Sequence, residues 1–250
     1  MPERWLSQGV TGAFFNALGV LFGGLFGLAL RQPLSLRLQL LLRSALGAFT
    51  VFSGLCLVWL GVSGTFLYAL KQVCIAVLAL TVGGLLGRLF GLQKMSNHLG
   101  RYAGNIIAAG QSGAPRKVGD GFNACAVLFC AAPLGLVGAV ADGLSDYYYL
   151  LAVKAIMDGL ATLGFVKNFG WPTALSAFPV LVFLGAVTLA CQFLAKPFLA
   201  AHGLINSVTD VAGLIACAVA LVIFEVRRVE LANYLPALAV APCLAWLFNH

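Results

Sequence analysis

LLAVKAIMDGLA, residues 150–161, sets Lys154 and Asp158 one helical turn apart in a run that is otherwise apolar. A water-exposed helix would carry both charges on a polar face, opposite an apolar stripe recurring every three to four residues. No polar face can be drawn here, because the neighbours on every side are Leu, Ala, Val, Ile and Met. Extended from Tyr148 to Phe165, the run has about the length that crosses a hydrocarbon core, roughly 20 residues for ~30 Å. The segment reads as a membrane helix with a charge pair inside it.

The rest of the chain agrees with that reading. Of 250 residues, 61% are hydrophobic and 9% charged, against about a quarter charged in an average soluble domain. Mean hydropathy is +0.98. Apolar runs recur at Phe14–Leu30, Ala45–Leu60, Leu70–Phe90, Phe122–Val140, Tyr148–Phe165, Ala174–Leu194, Val208–Phe224 and Leu231–Phe248. A membrane β-barrel would need ~10-residue segments of alternating polarity, and none is present. The expected fold is all-α, a polytopic membrane bundle of seven to eight helices forming one integral membrane domain over residues 1–250. The start, MPERWLSQG, is not strongly basic and leads into an apolar run too long for a signal-peptide core, so the first span is expected to be retained.

Charge sets the expected orientation. Arg31, Arg37, Arg43, Arg88, Lys94, Arg101, Arg116, Lys117, Lys167, Arg227 and Arg228 fall on one side of the eight spans. Arg4, Lys71, Lys196 and the acidic pair Asp142 and Asp146 fall on the other. The excess of Lys and Arg assigns the first side to the cytoplasm, with both termini outside. The net charge of +7 is therefore a matter of topology. No nucleic-acid partner is expected, since no soluble domain is long enough to carry a basic surface.

Counted from the outer end, Lys154 lies roughly 9 Å and Asp158 roughly 15 Å down the fifth span. Lysine can snorkel to the interface, but aspartate is too short to do so. An isolated charge at that depth costs ~2.5–3.5 kcal/mol on insertion scales. Lys before Asp is also the weaker order for pairing within a helix, so local pairing is a thin reason to keep both. The preferred reading is a polar pathway for a small solute or ion, lined by Lys154 and Asp158 with Asn16, Asn123, Asp142 and Asn233. The alternative is a non-transporting scaffold or signalling component in which these residues only hold helices together.

The first and fourth spans share a pattern: FNALGVLF at 15–22 and FNACAVLF at 122–129. An odd number of crossings separates them, so two three-span repeats, 12–91 and 119–196, would be inverted. That arrangement recurs in secondary transporters with the site near mid-membrane. Residues 92–118 then form a cytoplasmic linker, within which a short interfacial helix around Met95–Ala109 is the less favoured option. Residues 204–250 add two C-terminal helices. Gly19, Gly23 and Gly27 on the first span, and Gly83, Gly87 and Gly91 on the third, are stripes that let helix backbones approach closely. Pro133, followed by Gly135 and Gly138, predicts a kink or break in the fourth span. Pro179 and Pro236 predict the same in the sixth and eighth, with Pro242 a further interruption in the eighth.

Enzyme motifs are missing: there is no G-x-x-x-x-G-K-[ST], no G-x-S-x-G and no H-E-x-x-H, so no catalytic activity is expected. The seven cysteines all lie in apolar spans without C-x-x-C spacing, and the three histidines sit at span ends or in loops. No metal or cofactor is expected. The expected partners are the lipid bilayer and a small solute or ion that the sequence does not identify. Homo-oligomer formation stays open.

Residues 127–165, VLFCAAPLGLVGAVADGLSDYYYLLAVKAIMDGLATLGF, also carry a likeness to a known family. Cys130, Asp142, Gly143, Lys154, Asp158 and Gly159 match the signature of the domain-of-unknown-function 554 family of bacterial inner-membrane proteins. Gly12, Asn16 and Ala17 fit its opening G-x-x-x-N-A, and Asn233, Leu235 and Pro236 its late N-x-L-P. The chain thus resembles that family over nearly its whole length. It departs from it at Leu184-Gly185, where the family tends to have Gln-Gly. The resemblance implies a multi-pass protein of the bacterial inner membrane, read as a transporter of unsettled substrate.

Overall fold

The computed structural model describes residues 10–30, 35–62, 64–111, 119–227 and 229–249. Arg4, Arg31, Arg116, Lys117, Arg228 and His250 lie outside these residues. Among the described residues the chain is helical, with no strand. Seven helices among these residues are long and apolar enough to cross a membrane, up to eight if one bent pair counts as a single span. The polytopic all-α bundle expected from the sequence is what the chain forms.

Helix α1 spans Thr11–Ala29, α2 Leu36–Gly61 and α3 Phe66–Leu89. The second begins nine residues before its apolar window, because Arg37, Gln39 and Arg43 lie in its first turns. Long polar side chains of this kind reach the interface from within a helix. Ser35 caps α2, its hydroxyl accepting from the Leu38 N–H at 3.4 Å. The stretch expected to be mainly linker is largely helical: α4 runs Leu92–Gln111. Leu92, Ser96, Leu99, Ala103, Ile106 and Ile107 turn toward the protein, while Lys94, Asn97, Arg101 and Asn105 are exposed. That face recurs every three to four residues, so α4 is an amphipathic helix lying against the bundle.

The fourth apolar segment is bent into two helices. Helix α5, Asp120–Cys130, and α6, Pro133–Ser145, meet at a bend of 57°. Pro133 stands at the first position of α6, where a missing N–H costs nothing. Asp146 ends α6 in the left-handed conformation, φ 54°. Helix α7 is Tyr149–Phe169. The sixth span, Trp171–Ala201, contains a 3-10 turn Trp171–Ser176, α8 Ala177–Ala190, a π turn Cys191–Ala195 and α9 Lys196–Ala201. Pro179 does not break it. The proline falls in the first turn of α8, and the tighter 3-10 turn immediately before it takes up the strain. Helix α10 is Ile205–Ile223, and a 3-10 turn Leu231–Tyr234 precedes α11, Ala237–Asn249. The expected break at Pro236 is there; Pro242 sits inside α11.

Lipid offers helices no hydrophobic reason to associate, so close backbone contact must hold them. Helix α1 crosses α7 through the expected stripe: Gly19 lies on Ala155, Gly23 on Gly159, and a Cβ at Gly27 would stand 2.7 Å from the Leu163 carbonyl oxygen. Gly83 and Gly87 of α3 receive Ala237 and Asn233. Gly91 is not a packing residue; it ends α3 at φ 65°, a conformation glycine adopts freely. Gly47, Gly54 and Gly61, seven residues apart, seat α2 on α10. Helix α10, packed between α2, α3, α6 and α11, carries the largest buried cluster together with parts of α2, α6 and α7. The large apolar side chains left outside, such as Phe26, Trp59, Phe66 and Leu89, form the surface a bilayer covers.

Candidate functional site

Helix α7 buries its charge pair completely. Lys154 is 1% and Asp158 7% exposed, and the Lys154 ammonium donates to Asp158 Oδ2. Three other elements close around the pair. The Phe129 ring of α5 lies 5.7 Å from the Lys154 nitrogen. Gly135, in the first turn of α6, packs on the lysine: a Cβ there would come within 2.7 Å of Lys154 Cε and 3.2 Å of Leu184 Cδ2. Asn16 of α1, fully buried, turns its side chain to the Asp158 carboxylate as a hydrogen-bonding neighbour, and its amide oxygen has no partner among the described residues. Thr162, one turn further along α7, ties its hydroxyl to the Asp158 carbonyl at 2.7 Å.

The pair therefore faces the break in the fourth span. A helix end releases the carbonyls of its last turn and the N–H groups of the next helix's first turn from the ladder. It also presents a partial negative charge at the end of α5 and a positive one at the start of α6. An ammonium beside Phe129 and the buried Asn16 amide complete a polar centre inside an apolar shell. A proton moving from Lys154 Nζ to Asp158 Oδ2 would turn two charges into none. A cation taking the carboxylate would free the lysine.

A cavity of about 760 Å³ runs toward this centre from the end of the bundle that carries Gln39, Arg43 and Lys167. Its walls come from α2, α7 and α10, and it ends against Ala132, Pro133 and Leu134 at the break. Met157, next to Asp158 in sequence, and Ala161, three residues on, line it; Asp158 does not.

The other expected site residues are dispersed. Asp142 Oδ2 accepts from the Gly12 N–H at 3.0 Å, so this buried carboxylate completes the start of α1, where anions are favoured. Its Oδ1 has no partner. Asn123 is exposed on the first turn of α5. Asn233 accepts from the Gln93 N–H at 3.1 Å and donates to Glu230 at 2.8 Å, while Gln93 accepts from the Ala232 N–H. It clasps α4 to the turn before α11. Leu184, the position of the family departure, borders Gly135 on the side of Lys154.

One buried acid was not singled out from the sequence. Asp210 of α10 is 1% exposed, lies against Gly61, and neither carboxylate oxygen has a partner. An acid among the first residues of an apolar span was the available signal.

Among the described residues, charged side chains pair near both ends of the bundle. Asp146 pairs with Lys196 at 2.8 Å, and Lys71 donates to the Phe248 carbonyl. At the opposite end Arg43 pairs with Glu225 at 2.5 Å. The start of α1 and the end of α11 share the first of these ends.

A family model described as protein of unknown function (DUF554) matches residues 11–246. The chain is similar to the uncharacterized membrane protein YdfK of Bacillus subtilis (strain 168), 25% identical over 240 residues, which cover 95% of this chain and 96% of that protein. It is similar also to the uncharacterized protein YqgA of Escherichia coli (strain K12), 28% identical over 240 residues, 95% of this chain and 97% of the relative. No solved structure matches.

Proposed function

The chain belongs to this family of membrane proteins of unknown function (DUF554), and we propose that it is a secondary transporter or channel for a small solute or ion. The observation that carries the reading is the buried Lys154–Asp158 pair behind a broken span, with a cavity ending at the break. Ionisable residues inside a membrane are costly and are kept where ions or solutes pass. Discontinuous helices supply the binding groups of many transporters. Asp158 is the residue we assign to coupling, by exchanging Lys154 for a proton or cation, with the Asn16 amide beside it. No catalytic step is proposed.

The finer topology belongs to the same proposal: a bacterial inner-membrane protein with both termini outside, built from inverted repeats 12–91 and 119–196. The charge asymmetry supports the orientation, and the shared FN-A-x-x-VLF pattern supports the repeats. In a cysteine-free background, a single cysteine near Arg37 should resist membrane-impermeant thiol reagents in intact cells, and one near Ser145 should react. The opposite labelling would reverse the protein in the membrane.

One observation favours a structural role instead. Lys154 and Asp158 satisfy each other, and the cavity stops short of the carboxylate. The deciding experiment starts from thermal stabilisation of the purified protein by a panel of ions and metabolites, followed by proteoliposome uptake of whichever stabilises. Asp158→Asn should fold and lose uptake, because an amide neither releases a proton nor balances a cation. Uptake at the wild-type rate in that variant would leave a clasp and no pathway.

A further inference from the structure

A second cavity, about 680 Å³, lies between α3, α10 and the turn before α11, away from the charge pair. Its lining changes character along its length. At the helix ends stand Arg88, in the last turn of α3, and Arg227, both exposed, with Glu230 and Tyr234. Deeper in are apolar side chains, Leu80 of α3 and Ile215 and Ala218 of α10. From Leu221 back to Leu214 the wall of α10 descends roughly 10 Å toward mid-membrane. Neither arginine joins an ion pair among the described residues. The Glu230 carboxylate is instead engaged by the Asn233 amide at 2.8 Å.

We propose that this groove is a binding site for an anionic phospholipid, with the phosphate between Arg88 and Arg227 and an acyl chain along α10. Guanidinium groups match phosphate oxygens in a two-pronged geometry. Basic pockets between membrane helices, at the headgroup level, are where acidic lipids are held. The apolar wall below the arginines suits a tail and would leave a free phosphate with only half a site. Counting Glu230, the polar end still carries one positive charge in excess, so a zwitterionic headgroup has no comparable hold.

The test uses full-length protein in detergent, titrated with phosphatidylglycerol or phosphatidylcholine of identical acyl chains. Melting temperature and lipid retention in native mass spectrometry are recorded. Phosphatidylglycerol should be retained and raise the melting temperature, and phosphatidylcholine should do neither. Each arginine contributes ~1 kcal/mol of attraction, so Arg88→Gln or Arg227→Gln should weaken retention about fivefold. Ala218→Phe keeps both arginines and fills the tail wall; it should abolish retention as well. Arg101→Gln, on the exposed face of α4, should change nothing. Glycerol phosphate, a headgroup without tails, should give no shift. Equal effects of the two lipids, retention that survives the groove variants, loss with Arg101→Gln, or a full shift from glycerol phosphate would each overturn the proposal. If an arginine variant fails to fold, Ala218→Phe and the glycerol phosphate arm decide.

Discussion

Two stretches of the molecule spell nearly the same word and do different things with it. FNALGVLF opens α1 and FNACAVLF opens α5, yet Asn16 is fully buried beside Asp158 while Asn123 is exposed. The cause lies in the residues C-terminal to each asparagine. After Asn16 come Gly19, Gly23 and Gly27, which draw α1 against α7 along its length. After Asn123 the helix runs only to Cys130 before Pro133 redirects it. A residue's role in a membrane bundle is thus set by the small residues that decide how close the neighbouring helix comes. The identity of the polar group alone does not set it.

The largest effect should come from the charge pair that α1 closes over. Leucine at Asp158 alone strands a buried ammonium, and the loss on breaking such a pair is about 3–5 kcal/mol. Leucine at both Lys154 and Asp158 leaves nothing uncompensated and should recover most of that loss, since apolar residues often replace buried ion pairs without cost. Melting temperatures of the two single variants and the double variant, read as a cycle, test this. A double variant as unstable as the singles would mean that other groups, the α5 end or Phe129, depend on the lysine.

Of intermediate size is the stripe itself. An alanine Cβ at Gly23 would meet the Gly159 main chain, its carbon only 2.6 Å away, and forcing the helices apart should cost ~1–3 kcal/mol. The same change at Gly104 of α4 meets nothing within 4 Å and should gain ~0.5–1 kcal/mol through helix propensity. Opposite signs in thermal melts would separate packing glycines from incidental ones. Equal signs would mean that α1 does not rest on α7 as described.

These contrasts also show what a single sequence can reveal. Membrane spans were legible because length and apolarity are properties of one segment. The break at Pro133 was legible because proline lacks an N–H. Lys154 with Asp158 was legible because both lie on one helix. Helix α4 was obscured by Gly100, Gly104 and its asparagines, which dilute an inward face that is nonetheless regular. Asn233 read as a pathway residue because its partner, Gln93, stands 140 positions earlier, and nothing local announces such a pairing. Asp210 passed unnoticed beside Ser207 and Thr209, where a polar cluster at the start of a span resembles an interface. The proximity of Asn16 to Asp158 rests on the packing of α1 against α7, which neither stretch contains by itself.

The smallest expected change in stability carries the sharpest test of the opening contrast. Asn123→Ala alters an exposed position and should stay within ~0.5 kcal/mol of wild type. Asn16→Ala should cost somewhat more, about 1 kcal/mol. The variant loses packing volume and the side chain that hydrogen-bonds toward the Asp158 carboxylate, while the amide oxygen it also removes has no partner among the described residues. The two asparagines should therefore differ modestly in a melt and sharply in function. If Asn16 offers its donor and acceptor to a passing solute or ion, Asn16→Ala should depress proteoliposome uptake severalfold while Asn123→Ala leaves it unchanged. Equal uptake in both would remove Asn16 from the pathway. A large destabilisation by Asn16→Ala alone would instead make it a strut between α1 and α7.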